Sequence, residues 1–332
     1  MSNDEPTLPA DYLNPPRPSR SLAGRVAIVT GAGSQAAGIG NGRAAAVLLA
    51  EAGARVVCAD IDLESAATTV SMITTEFGNG MAIAVQTDVT KAEDCKRTVD
   101  LAMSHFGRLD ILVNNVGVGG PRGTAVDVDP EQWARGLEVN VTSMMLMAKY
   151  AVPAMERNER GVVSGRGAIV NIASVAGLIG GTPMLLYPTS KGAIVNMTRA
   201  MAAHHAPAGI RVNCVCPGML FTPMLYSLGI PEEVREARCQ RSLLKTEGNG
   251  WDAGAAVRFL ASDEARWITG AVLPVDAGTT AAIPQGGALG KANIFSTLGS
   301  EEFFVWLIIA PALHGLLRVA GLALRPSIPL QA

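Results

Sequence analysis

The stretch from Val26 to Gly42 reads VAIVTGAGSQAAGIGNG, and it decides how the surrounding chain folds. It begins with a short β-branched run and continues as a loop rich in glycine. The alanine-rich sequence that follows, around 43–52, has the periodicity of a helix. A strand, a tight glycine turn and a helix in this order predict a βαβ unit whose turn can approach an anionic group closely.

The same alternation of apolar runs and longer helical stretches continues along the chain. The predicted strands are seven, at 26–30, 55–60, 82–86, 111–114, 168–172, 211–215 and 272–275. Because these runs are apolar throughout and lie between amphipathic helices, they are typical of a parallel sheet covered on both faces. The predicted fold class is α/β, with a Rossmann-type, doubly wound, seven-stranded and mostly parallel sheet flanked by helices.

We predict one main domain with an appendage at each end. Residues 1–20 are polar and proline-rich, so we expect a flexible arm without a targeting signal, and 21–281 form the Rossmann-type domain. Residues 282–332 form a C-terminal extension, with an apolar helix predicted over 303–324. Proline, histidine and arginine interrupt that helix, so docking on an oligomer, lying in a membrane interface and spanning a membrane are all open.

The composition of the chain excludes several kinds of partner. It has 27 basic and 29 acidic residues, so it lacks the positive charge that nucleic-acid binding requires. The cysteines show no zinc-type spacing to a histidine, so we expect reduced thiols and no metal site. We therefore expect a small-molecule substrate, a homodimer or homotetramer, and a cytoplasmic location, with attachment to the periphery of a membrane as the alternative.

The glycine loop and the ends of the next strands form a candidate cofactor site. Glycines let the backbone approach a pyrophosphate, whose charge is met by free amides at a helix N-terminus. Asp60 ends the second predicted strand, where a carboxylate accepts hydrogen bonds from ribose hydroxyls and repels a 2′-phosphate, so NAD is favoured over NADP. The alternative is that Asp60 caps the next helix, although Asp62 is better placed to do so.

Two further strand ends carry polar, turn-forming residues that fit the same site. Asp88 is placed to bind the adenine amino group, and Asn115 lies where the fourth strand meets the cofactor. Each of them taken alone is also explained by turn chemistry. The predicted cofactor contacts in this half of the chain are Gly31, Gly33, Gly38, Ile39, Gly40, Asp60, Asp88, Val89, Asn115 and Gly117.

A phenol and an ammonium are predicted on one face of a later helix. Tyr187 and Lys191 are four residues apart, a spacing that brings side chains together on a helix. A free phenol has a pKa of about 10, and a nearby positive charge lowers that pKa. Pro188 is tolerated in a first helical turn, so we expect Tyr187 at the entrance of the helix, near the cleft.

Two polar residues upstream are candidates for the same chemistry. Ser174 follows a predicted strand, where its hydroxyl can hold a substrate carbonyl oxygen while Tyr187 protonates it. Asn140 lies in an otherwise apolar helical stretch, and a buried amide needs hydrogen-bond partners. Asn140 either holds a water that passes protons to Lys191 or satisfies an irregularity of the helix, and the two roles are compatible.

Together these motifs resemble those of the short-chain dehydrogenase/reductase family. The resemblance rests on the glycine loop, Asn114-Asn115-Val116-Gly117, Asn140, Ser174, Tyr187 with Lys191, and Pro217-Gly218 followed by Thr222. It spans Leu22 to about Thr280, with the motifs in the family's order and spacing. The resemblance implies an NAD-dependent enzyme that interconverts an alcohol and a carbonyl compound without zinc.

The resemblance also implies a role for each matching residue. Tyr187 would act as general acid and base, and Ser174 would orient the substrate oxygen. Lys191 would bind the nicotinamide ribose and tune Tyr187, while Asn140 would complete a proton relay. The nicotinamide and its carboxamide would be bordered by Pro217, Gly218 and Thr222.

The chain departs from the family pattern in and beside the glycine loop. Six residues separate Gly31 from Gly38, more than in the family's usual loop, which leaves open which amide meets which phosphate. Val116 replaces the family's usual alanine. Residues 219–230 are rich in large apolar side chains where the family has a substrate lid, so we expect an apolar secondary alcohol or carbonyl substrate. The alternative is that these Met and Leu side chains belong to the core. The alternatives are a non-catalytic NAD-binding scaffold and a membrane-associated module that works through 303–324.

Overall fold

The chain forms a seven-stranded parallel sheet in the computed structural model, which describes residues 15–161, 165–227 and 229–282. The strands are β1 (Val26–Thr30), β2 (Arg55–Asp60), β3 (Ala82–Gln86), β4 (Ile111–Asn114), β5 (Gly167–Ile172), β6 (Ile210–Pro217) and β7 (Val272–Val275). Their order is β3-β2-β1-β4-β5-β6-β7, and every neighbouring pair is parallel. The predicted doubly wound α/β fold is confirmed, and β5 and β6 are longer than the predicted runs.

Helices connect the strands, and some of them begin at a residue whose side chain caps the helix. They are α1 (Asn41–Glu51), α2 (Leu63–Phe77), α3 (Ala92–Phe106), α4 (Pro130–Leu137), α5 (Ser143–Met155), α6 (Leu186–His205), α7 (Pro223–Tyr226), α8 (Glu232–Cys239) and α9 (Gly250–Ala261). Asp62 caps α2 by accepting hydrogen bonds from the amides of Glu64 and Ser65, as the sequence predicts. Asn249 and Asp252 form a reciprocal capping box at the start of α9.

The sheet separates two apolar layers, which explains why its central strands are apolar throughout. Helices α1, α2 and α9 cover one face, and α3, α5 and α6 cover the other. Successive side chains of β1 alternate between these layers, with Ala27 and Val29 in the first and Val26 and Ile28 in the second. Because both faces of the sheet are buried, a polar side chain in β1 would need a hydrogen-bond partner within the apolar layer that it enters.

The order of the strands reverses between β1 and β4, and this reversal positions the functional site. The chain continues from β1 to β2 on one side and from β4 to β5 on the other, so the connections after the two central strands diverge. Sheets of this type bind ligands in the resulting crevice, beyond the carboxyl ends of the strands. Gly42 lets α1 approach β1 there, because a Cβ at Gly42 would lie only 2.8 Å from the carbonyl carbon of Gly31.

Two predicted regions extend beyond the described residues. Of the predicted arm, 15–20 are described, and they are exposed and lack regular secondary structure. The C-terminal extension is described only as far as 282, so the helix predicted over 303–324 lies outside the described residues. Within 15–161, 165–227 and 229–282, no helix combines the length and apolar character needed to cross a membrane.

Candidate active site

A cleft of about 900 Å³ opens at the carboxyl ends of the strands, where the strand order reverses. The predicted residues that line it are Gly31, Gly33, Gly40, Asp60, Asp88, Val89, Asn115, Gly117, Tyr187, Lys191 and Thr222. The predicted residues that do not line this cleft are Gly38, Ile39, Asn140, Ser174, Pro217 and Gly218. The structure therefore brings the glycine loop, the strand ends and the Tyr187 helix together around one space.

Asp60 anchors the glycine loop at the end of β2. One carboxylate oxygen accepts a hydrogen bond from the amide of Gly33 at 2.8 Å, and the other accepts one from the amide of Asp62 at 3.0 Å. Gly33 has no space for a side chain, because a Cβ there would lie 2.9 Å from the Asp60 carboxylate. Asp60 therefore does not cap α2, since Asp62 does, and its carboxylate lies in the wall of the cleft.

The start of α1 has the features of an anion site. Its cap residue is Gly40, so no side chain satisfies the first amides of the helix, and its first turn has no acidic residue. Ser34 Oγ and Asn41 Oδ1 are buried there without a hydrogen-bond partner among the described residues. Both residues line the cleft beside Gly40. Free amides and two unpartnered polar atoms fit the phosphates and ribose of a dinucleotide.

Two predicted cofactor residues make local contacts that stabilise the wall of the cleft. One Asp88 oxygen accepts hydrogen bonds from the amide and the hydroxyl of Thr90, at 3.0 and 2.7 Å. The Thr90 hydroxyl is the main reason that the pKa of Asp88 is lowered. Asn115 Nδ2 donates to the carbonyls of Thr30 and Gly31, at 3.2 and 3.0 Å, and so connects the end of β4 to the end of β1. The turn chemistry that the sequence left as an alternative is present at both positions.

Tyr187 and Lys191 lie in the first turns of α6, as their spacing predicts. The helix begins at Leu186, so Pro188 is in its first turn and interrupts no ladder of hydrogen bonds. Lys191 is 4% exposed, and its Nζ donates to the carbonyl of Ile172 at 3.1 Å. Nζ also lies 5.7 Å from the centre of the Tyr187 ring, within the range of a cation–π contact. The ammonium is thus fixed between the end of β5 and the phenol.

Asn140 lies in the single π-helical turn Glu138–Thr142, which joins α4 to α5. Its Oδ1 accepts from the amide of Val118 at 2.7 Å, and its Nδ2 donates to the carbonyl of Val118 and to Ser190 Oγ, both at 2.9 Å. Ser190 in turn donates to the carbonyl of Tyr187 at 2.9 Å. A π-helical turn is a helix irregularity of the kind the sequence suggested, and Asn140 connects it to the chain after β4 and to α6.

Ser174 lies in the turn that follows β5 and packs against α6. Its Oγ accepts from the amide of Ala176 at 3.1 Å, at the start of a short 3₁₀ turn, Val175–Gly177. Gly177 approaches α6 so closely that a Cβ there would lie 2.5 Å from the carbonyl carbon of Lys191. The Ser174 turn is therefore adjacent to the helix that carries Tyr187 and Lys191.

The substrate side of the cleft follows β6. Pro217 ends that strand, and Gly218 passes so close to β7 that a Cβ would lie 2.6 Å from the Cβ of Asp276. Thr222 precedes α7 and lines the cleft together with Pro223 and Met224. Within the described residues, no three His, Cys, Asp or Glu side chains are grouped so as to hold a metal ion.

The sequence analysis did not identify Arg43, which lies beneath the glycine loop. Its buried guanidinium donates to the carbonyl of Gly38 at 2.6 Å and to Thr69 Oγ1 at 2.9 Å. Burial lowers the pKa of Arg43, and the nearby Tyr226 and Asp60 raise it in part. The sequence signal that could have identified Arg43 is a single arginine among the alanines of α1, because a buried charge needs partners.

Comparisons with known proteins agree with this geometry. The family profile described as enoyl-(acyl carrier protein) reductase matches residues 33–280. Cis-4-hydroxycyclohexanecarboxylate dehydrogenase of Sinomonas cyclohexanicum is 37% identical over 261 residues, which are 79% of this chain and 98% of the relative. A Burkholderia xenovorans protein whose crystal structure is described as that of a short-chain dehydrogenase/reductase has a TM-score of 0.73 and 41% identity, with 79% of this chain and 98% of that chain covered.

A third protein was solved with ligands. It is a 7α-hydroxysteroid dehydrogenase in complex with NADH and 7-oxo glycochenodeoxycholic acid, with a TM-score of 0.70 and 35% identity over 78% of this chain and 95% of that chain. The profile match covers most of the chain, and the relatives are covered over nearly their full length. The chain belongs to the short-chain dehydrogenase/reductase family and is an oxidoreductase that uses a nicotinamide cofactor to act on CH–OH groups.

Proposed function

We propose that the protein is an NAD-dependent dehydrogenase or ketoreductase that transfers a hydride between NAD(H) and an apolar secondary alcohol or ketone. One observation carries the proposal. Tyr187 and Lys191 line the same cleft as Asp60 and the start of α1, where no side chain caps the helix. Proton chemistry and dinucleotide binding thereby share one space. The steroid dehydrogenase solved with NADH supports the choice of cofactor.

The choice of NAD over NADP rests on charge. Asp60, Asp62 and Asp88 lie in the wall of the cleft at the ends of β2 and β3, where the adenosine would bind. Carboxylates accept hydrogen bonds from ribose hydroxyls and repel a 2′-phosphate. Arg43 is a cation near Asp60, and it is buried under the loop with its guanidinium engaged by Gly38 and Thr69. It therefore does not offer a 2′-phosphate a free positive charge.

Different residues of the cleft would bind different parts of the dinucleotide. The first amides of α1, with Ser34 and Asn41, would hold the pyrophosphate side. One of the three N–H donors of Lys191 binds the carbonyl of Ile172, so the others are available for the hydroxyls of the nicotinamide ribose. Thr222 would contact the carboxamide, next to Pro217 and Gly218.

The catalytic residues would move the proton while the hydride is transferred. Bound NAD supplies the hydride acceptor for alcohol oxidation, and NADH supplies the donor in the reverse direction. In alcohol oxidation the Tyr187 phenolate would accept the alcohol proton, and in carbonyl reduction the Tyr187 hydroxyl would donate one, beside the ammonium of Lys191. Ser174 orients the substrate oxygen toward Tyr187. Asn140 positions this group through Ser190 and the backbone of Val118, and it connects the proton path to Lys191.

The proposed substrate class follows from the apolar part of the cleft lining. It includes the side chains of Pro121, Val139, Pro223 and Met224, and Arg135 in the same lining is paired with Glu138. A relative at 37% identity is named for its action on a hydroxycyclohexane ring. We therefore place an alicyclic secondary alcohol or its ketone first among the substrates. A homodimer or homotetramer is proposed as the assembly.

An assay of NADH formation tests the proposal. The purified full-length protein is incubated with alicyclic, steroid and terpenoid secondary alcohols, and the corresponding ketones are tested with NADH. We expect turnover of at least one alicyclic pair with NAD(H), and little with NADP(H). Equal use of the two cofactors would contradict the assignment of Asp60. If the protein binds NADH but turns over no compound in the panel, even at raised protein concentration, the result would favour a non-catalytic binder.

A further inference from the structure

The end of the glycine loop contacts the segment that follows β6. The Tyr226 hydroxyl, at the end of α7, donates a hydrogen bond to the carbonyl of Ala37. The ring lies over Gly38, where an added Cβ would come within 3.2 Å of Tyr226 Cζ and 3.7 Å of Pro223 Cγ. Ala37 is the last of the six residues that separate Gly31 from Gly38. The contact therefore connects the end of this stretch to α7.

The loop that Tyr226 binds is fixed from below. The amide of Ser34 donates to Ser65 Oγ at 2.6 Å, and Ser65 donates back to the carbonyl of Ser34 at 3.0 Å. The guanidinium of Arg43 holds the carbonyl of Gly38 at 2.6 Å. Because both ends of the loop are bonded to α1 and α2, a residue that binds its outer side is bound to a rigid support.

The segment that carries Tyr226 forms a wall of the cleft. Pro223 and Met224 of α7 line the cleft directly, one turn before Tyr226. The Phe221 ring lies 5.3 Å from the ring of Tyr226, and the amide of Phe221 donates to the carbonyl of Gly248. This segment is thus attached at one end to the chain before α9 and at the other end, through Tyr226, to the glycine loop.

We infer that Tyr226 is a positioning residue that latches residues 219–227 onto the glycine loop, so that the two sides of the cleft hold the dinucleotide as one unit. The inference rests on the proposed function for the identity of the dinucleotide. To release it, the cleft must open between α7 and the loop, and the Tyr226 hydrogen bond opposes this opening. The hydroxyl binds protein backbone and takes no part in proton transfer, so its loss should speed release without impairing the chemical step.

The test compares Tyr226→Phe with Tyr150→Phe, a matched control on α5. NADH is bound to each protein and displaced with excess NAD, and its dissociation is followed by NADH fluorescence in a stopped-flow instrument. Loss of one hydrogen bond predicts dissociation about 3 to 10 times faster in Tyr226→Phe and unchanged in Tyr150→Phe. In turnover, KM for NAD rises by a similar factor, and kcat is unchanged or higher. Equal dissociation rates in the wild type and Tyr226→Phe would overturn the latch.

A measurement without cofactor separates this inference from the proposed function. In the ligand-free protein, the amides of 34–40 should exchange hydrogen faster in Tyr226→Phe than in the wild type, whereas those of α5 should not change. Exchange in 34–40 that is the same in both proteins would overturn the latch whatever the cofactor. Failure of the wild type to bind NADH, with faster exchange in the variant, would instead contradict the proposed cofactor and leave the latch supported.

Discussion

The carboxylate of Asp60 accepts a hydrogen bond of 2.8 Å from the amide of Gly33, so the residue that ends β2 also fixes the first turn of the glycine loop. The role that we propose for it in choosing the cofactor would therefore be combined with a structural one. Replacing Asp60 by alanine would remove both the charge and the acceptor. A substitution that keeps an oxygen in place separates the two effects.

Asp60→Asn keeps a carbonyl oxygen for the Gly33 amide, removes the negative charge, and gives up the exposed bond from the Asp62 amide. Two like charges about 4 Å apart near a protein surface repel with an energy of about 4 kcal/mol, so removing one should favour NADP. We expect the ratio of kcat/KM for NADP to that for NAD to rise by about tenfold or more. Steady-state kinetics with both cofactors measures it. A ratio that does not change would show that Asp60 acts only by supporting the loop.

Tyr187→Phe should leave cofactor binding nearly intact and reduce turnover. The ring and its contact with the Lys191 ammonium are retained, while the proton that the hydroxyl exchanges is lost. A missing general acid or base lowers the rate by about 10² to 10⁴-fold. The NADH dissociation constant, measured by fluorescence, serves as the control for folding. Turnover within a few-fold of the wild type would exclude Tyr187 as the acid and base.

Much of the fold follows from local signals in the sequence. The strands predicted at 26–30, 55–60, 82–86, 111–114 and 272–275 have the bounds of β1, β2, β3, β4 and β7, because glycine, proline and polar residues punctuate each apolar run. The start of α6 was predictable as well, since Pro188 fits only the first turn of a helix. The collection of site residues at one edge followed from the parallel sheet.

The features that were not predicted depend on contacts between distant parts of the chain. Arg43 is bound to Thr69 across 26 positions, and Tyr226 is bound to Ala37 across 189. Nothing in the local pattern around either residue specifies such a partner. The π-helical turn at Asn140 is a related case, since the sequence suggested an irregularity but its form depends on Val118 and Ser190. Sequence patterns identify which residues are unusual for their surroundings, whereas the tertiary packing determines which groups they bind.

The hydrogen bond from Thr90 to Asp88 predicts a contribution to stability that depends on pH. It lowers the pKa of Asp88 in the folded protein below the value of about 3.9 expected in the unfolded chain. A group with a lowered folded pKa stabilises the fold at pH values above its unfolded pKa, and the contribution is lost as the pH falls through the folded pKa.

Thr90→Val removes the hydroxyl that lowers this pKa and keeps the amide. We expect its free energy of unfolding to be about 1 kcal/mol below that of the wild type near pH 7, and the difference to shrink below about pH 4. Urea denaturation across this range measures the difference. Thr68→Val on α2 is the control, because its hydroxyl donates to a backbone carbonyl and should cause no such dependence on pH. A constant difference at all pH values would contradict the role of Asp88.

Asn140→Ala should reduce both stability and activity, because we propose a role in the proton relay for Asn140 besides its structural one. The substitution removes the hydrogen bonds to the amide and carbonyl of Val118 and to Ser190, and because Val118 is 37% exposed, water can replace part of them, which predicts a loss of about 1 to 3 kcal/mol in the free energy of unfolding. Ser190→Ala is the comparison, since it removes only the bond between Asn140 and Ser190 and the bond to the Tyr187 carbonyl, with a predicted loss of about 1 kcal/mol. Urea denaturation measures both.

The activity of the two variants then separates scaffolding from the proton relay. Under conditions in which both variants are fully folded, we expect kcat to fall by about tenfold or more in Asn140→Ala, the lower part of the range for a disturbed proton transfer, and to change much less in Ser190→Ala. If both variants lose activity only in proportion to their loss of folded protein, Asn140 serves the π-helical turn alone. A loss of kcat in Asn140→Ala that exceeds its loss of folded protein, and that Ser190→Ala does not share, would connect Asn140 to the proton path through Lys191 and Tyr187.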